Sequence, residues 1–192
     1  MSNLPSRPAP ARLAIVGGGP AGLFAADDHY TTADSSAADL PTFVGNHDMG
    51  RIGNLLSSSD RLDERAAFAH ETMLLTRGQP VIYYGDEQGF VGLRTEGFEA
   101  DDAVRPELPA TPAELSELGC WIYAEHQALI GLRRRHPWLT RASVEVTDLS
   151  NETISLRCFT DEHELLVDAW LTSPVGVRVH SGGETLYEFS GS

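Results

Sequence analysis

Five short runs of strand-forming residues crowd into the C-terminal quarter of the chain: Ser143–Thr147, Thr153–Phe159, Glu164–Leu171, Val175–His180 and Thr185–Phe189. Turn-forming pairs separate them, among them Ser150-Asn151, Asp161-Glu162 and Gly182-Gly183. Spacing this short leaves no room for crossover helices, so neighbouring strands must run antiparallel. The pattern predicts a small antiparallel β-sandwich domain.

Upstream the pattern is different. Thr42–Val44 is a short β-type run that stops at Gly45-Asn46-His47-Asp48. Leu62, Ala66, Ala69, Met73 and Leu74 then recur at helical spacing. Val81–Tyr84 is a strand-forming run without polar alternation, ended by Gly85-Asp86-Glu87. Such a run is expected to be buried on both faces, as in a parallel sheet. Strand, helix and strand in this order make a βαβ unit. A long acidic loop follows over 92–112. Thr111, Pro112 and Glu114 announce another helix, running to about Arg135 with Leu118, Ile122, Leu129, Ile130 and Leu132 on its apolar face. His136-Pro137 ends it. The register changes near Arg141.

In parallel α/β folds, ligands bind at the C-terminal ends of the strands. Asn46, His47 and Asp48 stand at such an end. A carboxylate beside an imidazole can grip vicinal hydroxyls, the carboxylate accepting and the imidazole donating, which suits a sugar. The plainer alternative is a polar turn with Asn46 as a helix cap. Tyr83 and Tyr84 serve equally as aromatic walls or as core tyrosines, and Glu87 as a capping acid.

Charge narrows the partners. The 192 residues carry 14 Lys+Arg against 28 Asp+Glu, a formal net charge of −14. That balance argues against nucleic acid and anionic membrane surfaces, which need clustered cations. Every cation is Arg, which removes Schiff-base and phosphate-loop lysines. Cys120 and Cys158 fit no metal spacing and are expected to be two buried free thiols. No run approaches the roughly 20 apolar residues of a membrane span. Leu13–Ala26 follows Arg7 and Arg12, but Gly17-Gly18-Gly19-Pro20 interrupts it. Without a convincing signal peptide, a cytoplasmic location is favoured.

Phe43-Val44-Gly45-Asn46-His47-Asp48 resembles the F-x-x-N-H-D signature of the α-amylase family, glycoside hydrolase family 13. Pro80-Val81-Ile82-Tyr83-Tyr84-Gly85-Asp86-Glu87 is similar to that family's P-x-I-Y-Y-G-x-E strand. Ala128–Pro137 resembles the helix preceding its C-terminal β domain. Asp27-Asp28-His29-Tyr30 and Met49-Gly50-Arg51-Ile52-Gly53 fit the flanks of the first motif. The resemblance implies an α/β chain: an incomplete (β/α)8 TIM barrel, represented by its last two βα units, followed by the antiparallel domain. The divisions expected are an uncertain Gly-rich extension over 1–26, the partial barrel over 27–140 and the β domain over 141–192.

The resemblance also implies roles. Asp48 takes the place of the acid that stabilises an oxocarbenium-like transition state. His47, Asn46 and Arg51 become substrate-binding, with Arg51 orienting nearby acids through bidentate bonds. The substrate class is an α-glucan or α-glucoside oligosaccharide, cleaved or transferred with retention. Retaining glycosidases need a nucleophile and a general acid about 5–5.5 Å apart. The family carries these on its fourth and fifth strands, ahead of the N-H-D strand, and only 41 residues precede Thr42. The expectation is a C-terminal part, inactive alone. Arg61-Leu62-Asp63 imitates the family's R-x-D nucleophile motif but falls after the N-H-D strand, so chain order excludes Asp63. No cofactor is assigned, and calcium enters only through longer relatives. Open sheet edges invite self-association.

Two other readings stay open. Ala14–Leu23 contains G-x-G-x-x-G and is similar to a flavin-dependent oxidoreductase motif, although no second strand ending in an acid follows about 20 residues on. A fusion of unrelated pieces would also give this look. The other reading is a non-catalytic glucan-binding remnant.

Overall fold

The computed structural model of the protein describes residues 41–46, 51, 78–92, 102–170, 172 and 174–190. Strand β1 (Pro41–Thr42) pairs with β2 (Gln79–Pro80) in parallel, Pro41 opposite Gln79 and Thr42 opposite Pro80. The Val81 amide extends the ladder by donating to the Thr42 carbonyl at 2.7 Å. The parallel sense agrees with the βαβ reading. The crossover segment, with its expected helix over 62–75 and Asp63, lies outside the described residues. The ladder is shorter than the β-type runs, and Val81, expected to be buried on both faces, is 47% exposed. A two-stranded ribbon cannot cover both faces of a residue at its end.

Helix α1 (Glu117–Arg135) begins where Ser116 caps it, its side chain accepting from the Gly119 amide at 3.0 Å. Glu117 lies in the first turn and Arg133, Arg134 and Arg135 in the last, matching the helix dipole. The start is later than expected: Pro112–Glu114 forms a separate 3-10 turn, and Leu115 is extended. Ile122, His126, Leu129 and Leu132 form the buried stripe. Ile130, expected on that face, is exposed, because one residue past Leu129 the helix has turned about 100°.

Strands β3 (Ser143–Leu149), β4 (Thr153–Phe159), β5 (Glu164–Trp170), β6 (Gly176–Ser181) and β7 (Glu184–Ser190) make one antiparallel meander in sequence order. Gly182 and Gly183 turn β6 into β7 with φ of 57° and 86°, the doubly positive geometry that a tight hairpin needs. Alternation sets the faces. Ile154, Leu156 and Cys158 of β4 point inward with Leu165, Val167 and Ala169 of β5. Val177 and Val179 of β6 and Phe189 of β7 complete this face. Leu129 and Leu132 of α1, with Leu139 and Ala142, close the same core. Each fully buried aliphatic side chain contributes roughly 1.5–3 kcal/mol.

Among the described residues the five strands share a single sheet, and Leu129 and Leu132 of α1 pack on its apolar face. The solvent face carries ion pairs instead: Arg157 with Glu145 and Glu164, and Arg178 with Glu188. Asp168 accepts from Ser155 at 2.7 Å and meets His180 at 2.9 Å. At Gly176 the backbone leaves no room for a side chain, since a Cβ would stand 2.5 Å from both the Phe189 carbonyl and the Trp170 ring.

The ribbon is tied to this body at its base. The Gly78 amide donates to the Thr140 carbonyl at 3.2 Å, and Arg133 donates to the Gly78 carbonyl. Ile82 packs against the main core.

Among the described residues no helix is long and apolar enough to cross a membrane. Both cysteines are free, as expected, but only Cys158 is buried. Cys120 sits near the start of α1, off its buried stripe.

Candidate substrate-binding site

Because β1 and β2 run in parallel, the segments that follow them emerge at the same end of the ribbon. Gly45 and Asn46 follow β1, with Gly45 buried and Asn46 half-buried. His47 and Asp48 lie outside the described residues. Arg51 resumes the chain and is 1% exposed. Its amide donates to the Gly92 carbonyl at 3.0 Å.

After β2 the chain passes Tyr83 and Tyr84, turns at Gly85 with φ of 88°, and makes a 3-10 turn over Asp86–Gln88. The two tyrosine rings meet edge to face, 4.9 Å between centroids. The Tyr84 hydroxyl donates to the Pro106 carbonyl at 3.2 Å. Glu87 is spent locally: one carboxylate oxygen accepts from the Gly85 amide at 2.8 Å and the other from the Gln88 side chain at 2.9 Å. Its capping role therefore has a specific partner.

Asp86 behaves differently. It is 2% exposed and accepts from Arg51 Nη1 at 3.0 Å, with both side chains fully buried. The same Nη1 donates to the Tyr84 carbonyl at 2.5 Å. The guanidinium carbon stands 4.3 Å from the Tyr83 ring centre and 5.0 Å from that of Tyr84, with Phe90 at 5.8 Å. Contacts at these distances add cation–π attraction in a desolvated setting. Burial raises the Tyr83 pKa above its ordinary value, and the Arg51 charge works against that rise.

The expected bidentate grip is not what the described residues show: Arg51 Nη1, with its two hydrogens, donates to both Asp86 and the Tyr84 carbonyl. Its Nε and Nη2 are buried and find no hydrogen-bond partner among the described residues. Asp86 also explains the glycine before Asn46: a Cβ on Gly45 would lie 2.3 Å from Asp86 Oδ2.

Asp86 went unmarked at the level of sequence because it occupies the variable position of the tyrosine motif. Its partner is 35 residues away, beyond the reach of local patterns. Among the described residues there is no group of three or more His, Cys, Asp or Glu able to hold a metal ion. The glycine motif over 17–22 lies outside the described residues.

Residues 24–143 match the family model described as the catalytic domain of α-amylase. The chain belongs to the α-amylase family. An α-amylase of Streptomyces lividans is 37% identical over 139 residues, covering 62% of this chain and 15% of that protein. A cyclomaltodextrin glucanotransferase of Bacillus sp. (strain 38-2) is 31% identical over 117 residues, covering 60% and 14%. A solved structure of a variant of AmyP in complex with maltotriose superposes with a TM-score of 0.66 at 20% identity, covering 88% of this chain and 41% of that one. At that identity the likeness shows the fold alone: part of an α-amylase barrel with an antiparallel five-stranded sheet. The chain spans about 15% of the length of the curated relatives it matches.

Proposed function

We propose that this chain supplies the sugar-gripping end of an α-amylase-type glycosidase acting on α-glucans with retention, by hydrolysis or transfer. In this reading β1 and β2 are the seventh and eighth barrel strands, and the antiparallel domain starts near 141. Asp48 accepts from the hydroxyls of the sugar at the cleavage position and offsets the positive charge that develops there. His47 donates to the same hydroxyls, and Asn46 borders them.

The observation that carries the reading is the parallel register of β1 and β2. It sends the chain that leaves β1 through Gly45 and Asn46, and the tyrosine segment after β2, to one end of the ribbon, and α/β folds bind ligands at such ends. The relatives support the substrate class: a cyclomaltodextrin glucanotransferase and a maltotriose-bound AmyP variant are both similar to this chain. Of the three carboxylates that a retaining site of this family uses, the reading assigns only Asp48 within the 192 residues. The nucleophile and general acid correspond to earlier barrel strands.

Electrophoresis of the purified 192-residue chain through a gel containing soluble starch tests this, with reducing ends assayed on the same sample. The expected result is retardation that Asp48→Ala and His47→Ala abolish, with no release of reducing ends. Unchanged mobility in starch would overturn the binding reading. Turnover removed by Asp63→Ala would overturn the assignment of roles.

A further inference from the structure

Three aromatic rings meet where α1 gives way to the sheet. His136 closes the helix: its amide donates to the Leu132 and Arg133 carbonyls at 3.2 and 3.0 Å. Its own carbonyl accepts from the Leu139 amide at 3.0 Å and opens a 3-10 turn over Pro137–Arg141. Trp138, in that turn, packs against the main core. The His136 ring meets the indole at 84°, 6.1 Å between centroids. The His163 ring stacks on the indole at 5.4 Å, with 26° between the planes. His163 arrives from the turn between β4 and β5, which Thr160 closes. The Thr160 amide donates to the His163 carbonyl at 2.9 Å, and the Thr160 hydroxyl accepts from the His163 amide at 3.1 Å. The Thr140 carbonyl, which holds the base of the ribbon, belongs to the same 3-10 turn as Trp138.

We propose that His136, Trp138 and His163 form a pH-sensitive latch, which docks the β4–β5 turn on the end of α1 near neutral pH and releases it when His136 takes up a proton. A proton on His163 alone leaves the latch shut, because a cation over an indole face is attracted to it. A proton on His136 acts against the cluster. Burial, then Arg135 beside it on the helix and His163 from the turn, hold the His136 pKa below its ordinary 6.5. The other charges of these elements are engaged or face solvent. Arg133 donates to the Gly78 carbonyl, and Glu164 is bonded to Arg157. Arg134, Arg141, Asp161 and Glu162 are exposed. A base whose pKa is lowered on folding adds stability that is full above its unfolded value of 6.5 and is lost as pH falls through the folded one. The backbone of His136 is bonded on both sides, so the part that leaves is the turn carrying the exposed His163.

The test is nuclear magnetic resonance of the labelled 192-residue chain, titrated from about pH 8 to about pH 5. The Trp138 indole and Thr160 amide signals are expected to move together, at the midpoint of the His136 ring and below 6.5, while the Leu156 and Val177 signals of the sheet stay in place. His136→Gln keeps the backbone bonds and takes up no proton, and it is expected to remove the movement. His163→Phe keeps a ring on the indole without a charge, and it is expected to raise the His136 midpoint towards 6.5. Trp138 and Thr160 signals that hold still over this range overturn the proposal. Movement that follows the His163 ring instead, or that persists unchanged in His136→Gln, overturns it too.

Amide hydrogen exchange of the unaltered chain is the second readout, and it decides the matter should His136→Gln fail to fold. Corrected for the intrinsic rate, protection of the Thr160 and His163 amides is expected to fall at least tenfold between about pH 7 and about pH 5.5, with Val167 unchanged. Equal protection of these two amides at both pH values overturns the proposal.

Discussion

Asp86 and Glu87 are adjacent acids with opposite tasks. Glu87 caps its own turn, while Asp86 is buried against a cation that arrives from the other strand tip. Sequence spacing separates such cases poorly, since burial is set by what lies across the ribbon. The cysteines show the same limit. Both were legible as free thiols, but their burial was not, because Cys158 alternates inward on β4 whereas Cys120 falls off the buried stripe of α1. Burial pushes the Cys158 thiol up to about 12, with nearby Arg133 pulling the other way. An acid whose pKa is raised on folding adds stability that is full below its unfolded value of 9.0 and is lost as pH climbs towards 12. The expected outcome is one thiol reacting with a disulfide reagent at pH 8, the second only after unfolding. Stability that falls above pH 9 should also fall less steeply in Cys158→Val, as followed by urea melts at stepped pH. Rapid reaction of both thiols in the native chain would contradict this.

At the scale of elements, the five C-terminal strands were readable because alternation and turn pairs coincide. Gly182-Gly183 both announced its hairpin and formed it. What covers the sheet was not readable. An inward face of Leu, Val and Ile needs an apolar partner, and a second sheet or a helix satisfies that need equally. The stripe of Leu129 and Leu132 supplies it here. Leu156, 1% exposed and opposite Val167, sits at the centre of this packing. Leu156→Ala is expected to cost about 2–5 kcal/mol in urea unfolding followed by tryptophan fluorescence. Val146→Ala on edge strand β3, where the side chain is 41% exposed, is expected to stay within about 0.5 kcal/mol. Equal losses at the two sites would mean that α1 does not cover this sheet.

For the whole molecule, the family was legible because its motifs are specific and come in the right order. Phe43–Asp48, Pro80–Glu87 and Ala128–Pro137 fall in or overlap the span that matches the α-amylase catalytic domain. The buried Arg51–Asp86 pair was not legible, since it joins two motifs that are each complete without it. Under the proposed function, His47 and Asp48 hold α-linked glucose. The most direct measurement is isothermal titration of the 192-residue chain with maltotriose, comparing wild type with Asp48→Ala and with the distant control His180→Ala. Hydrogen bonds to a charged group are worth about 1.5–3 kcal/mol, so Asp48→Ala is expected to weaken Kd roughly ten- to hundredfold, with His180→Ala unchanged. Equal affinity in wild type and Asp48→Ala would contradict the claim.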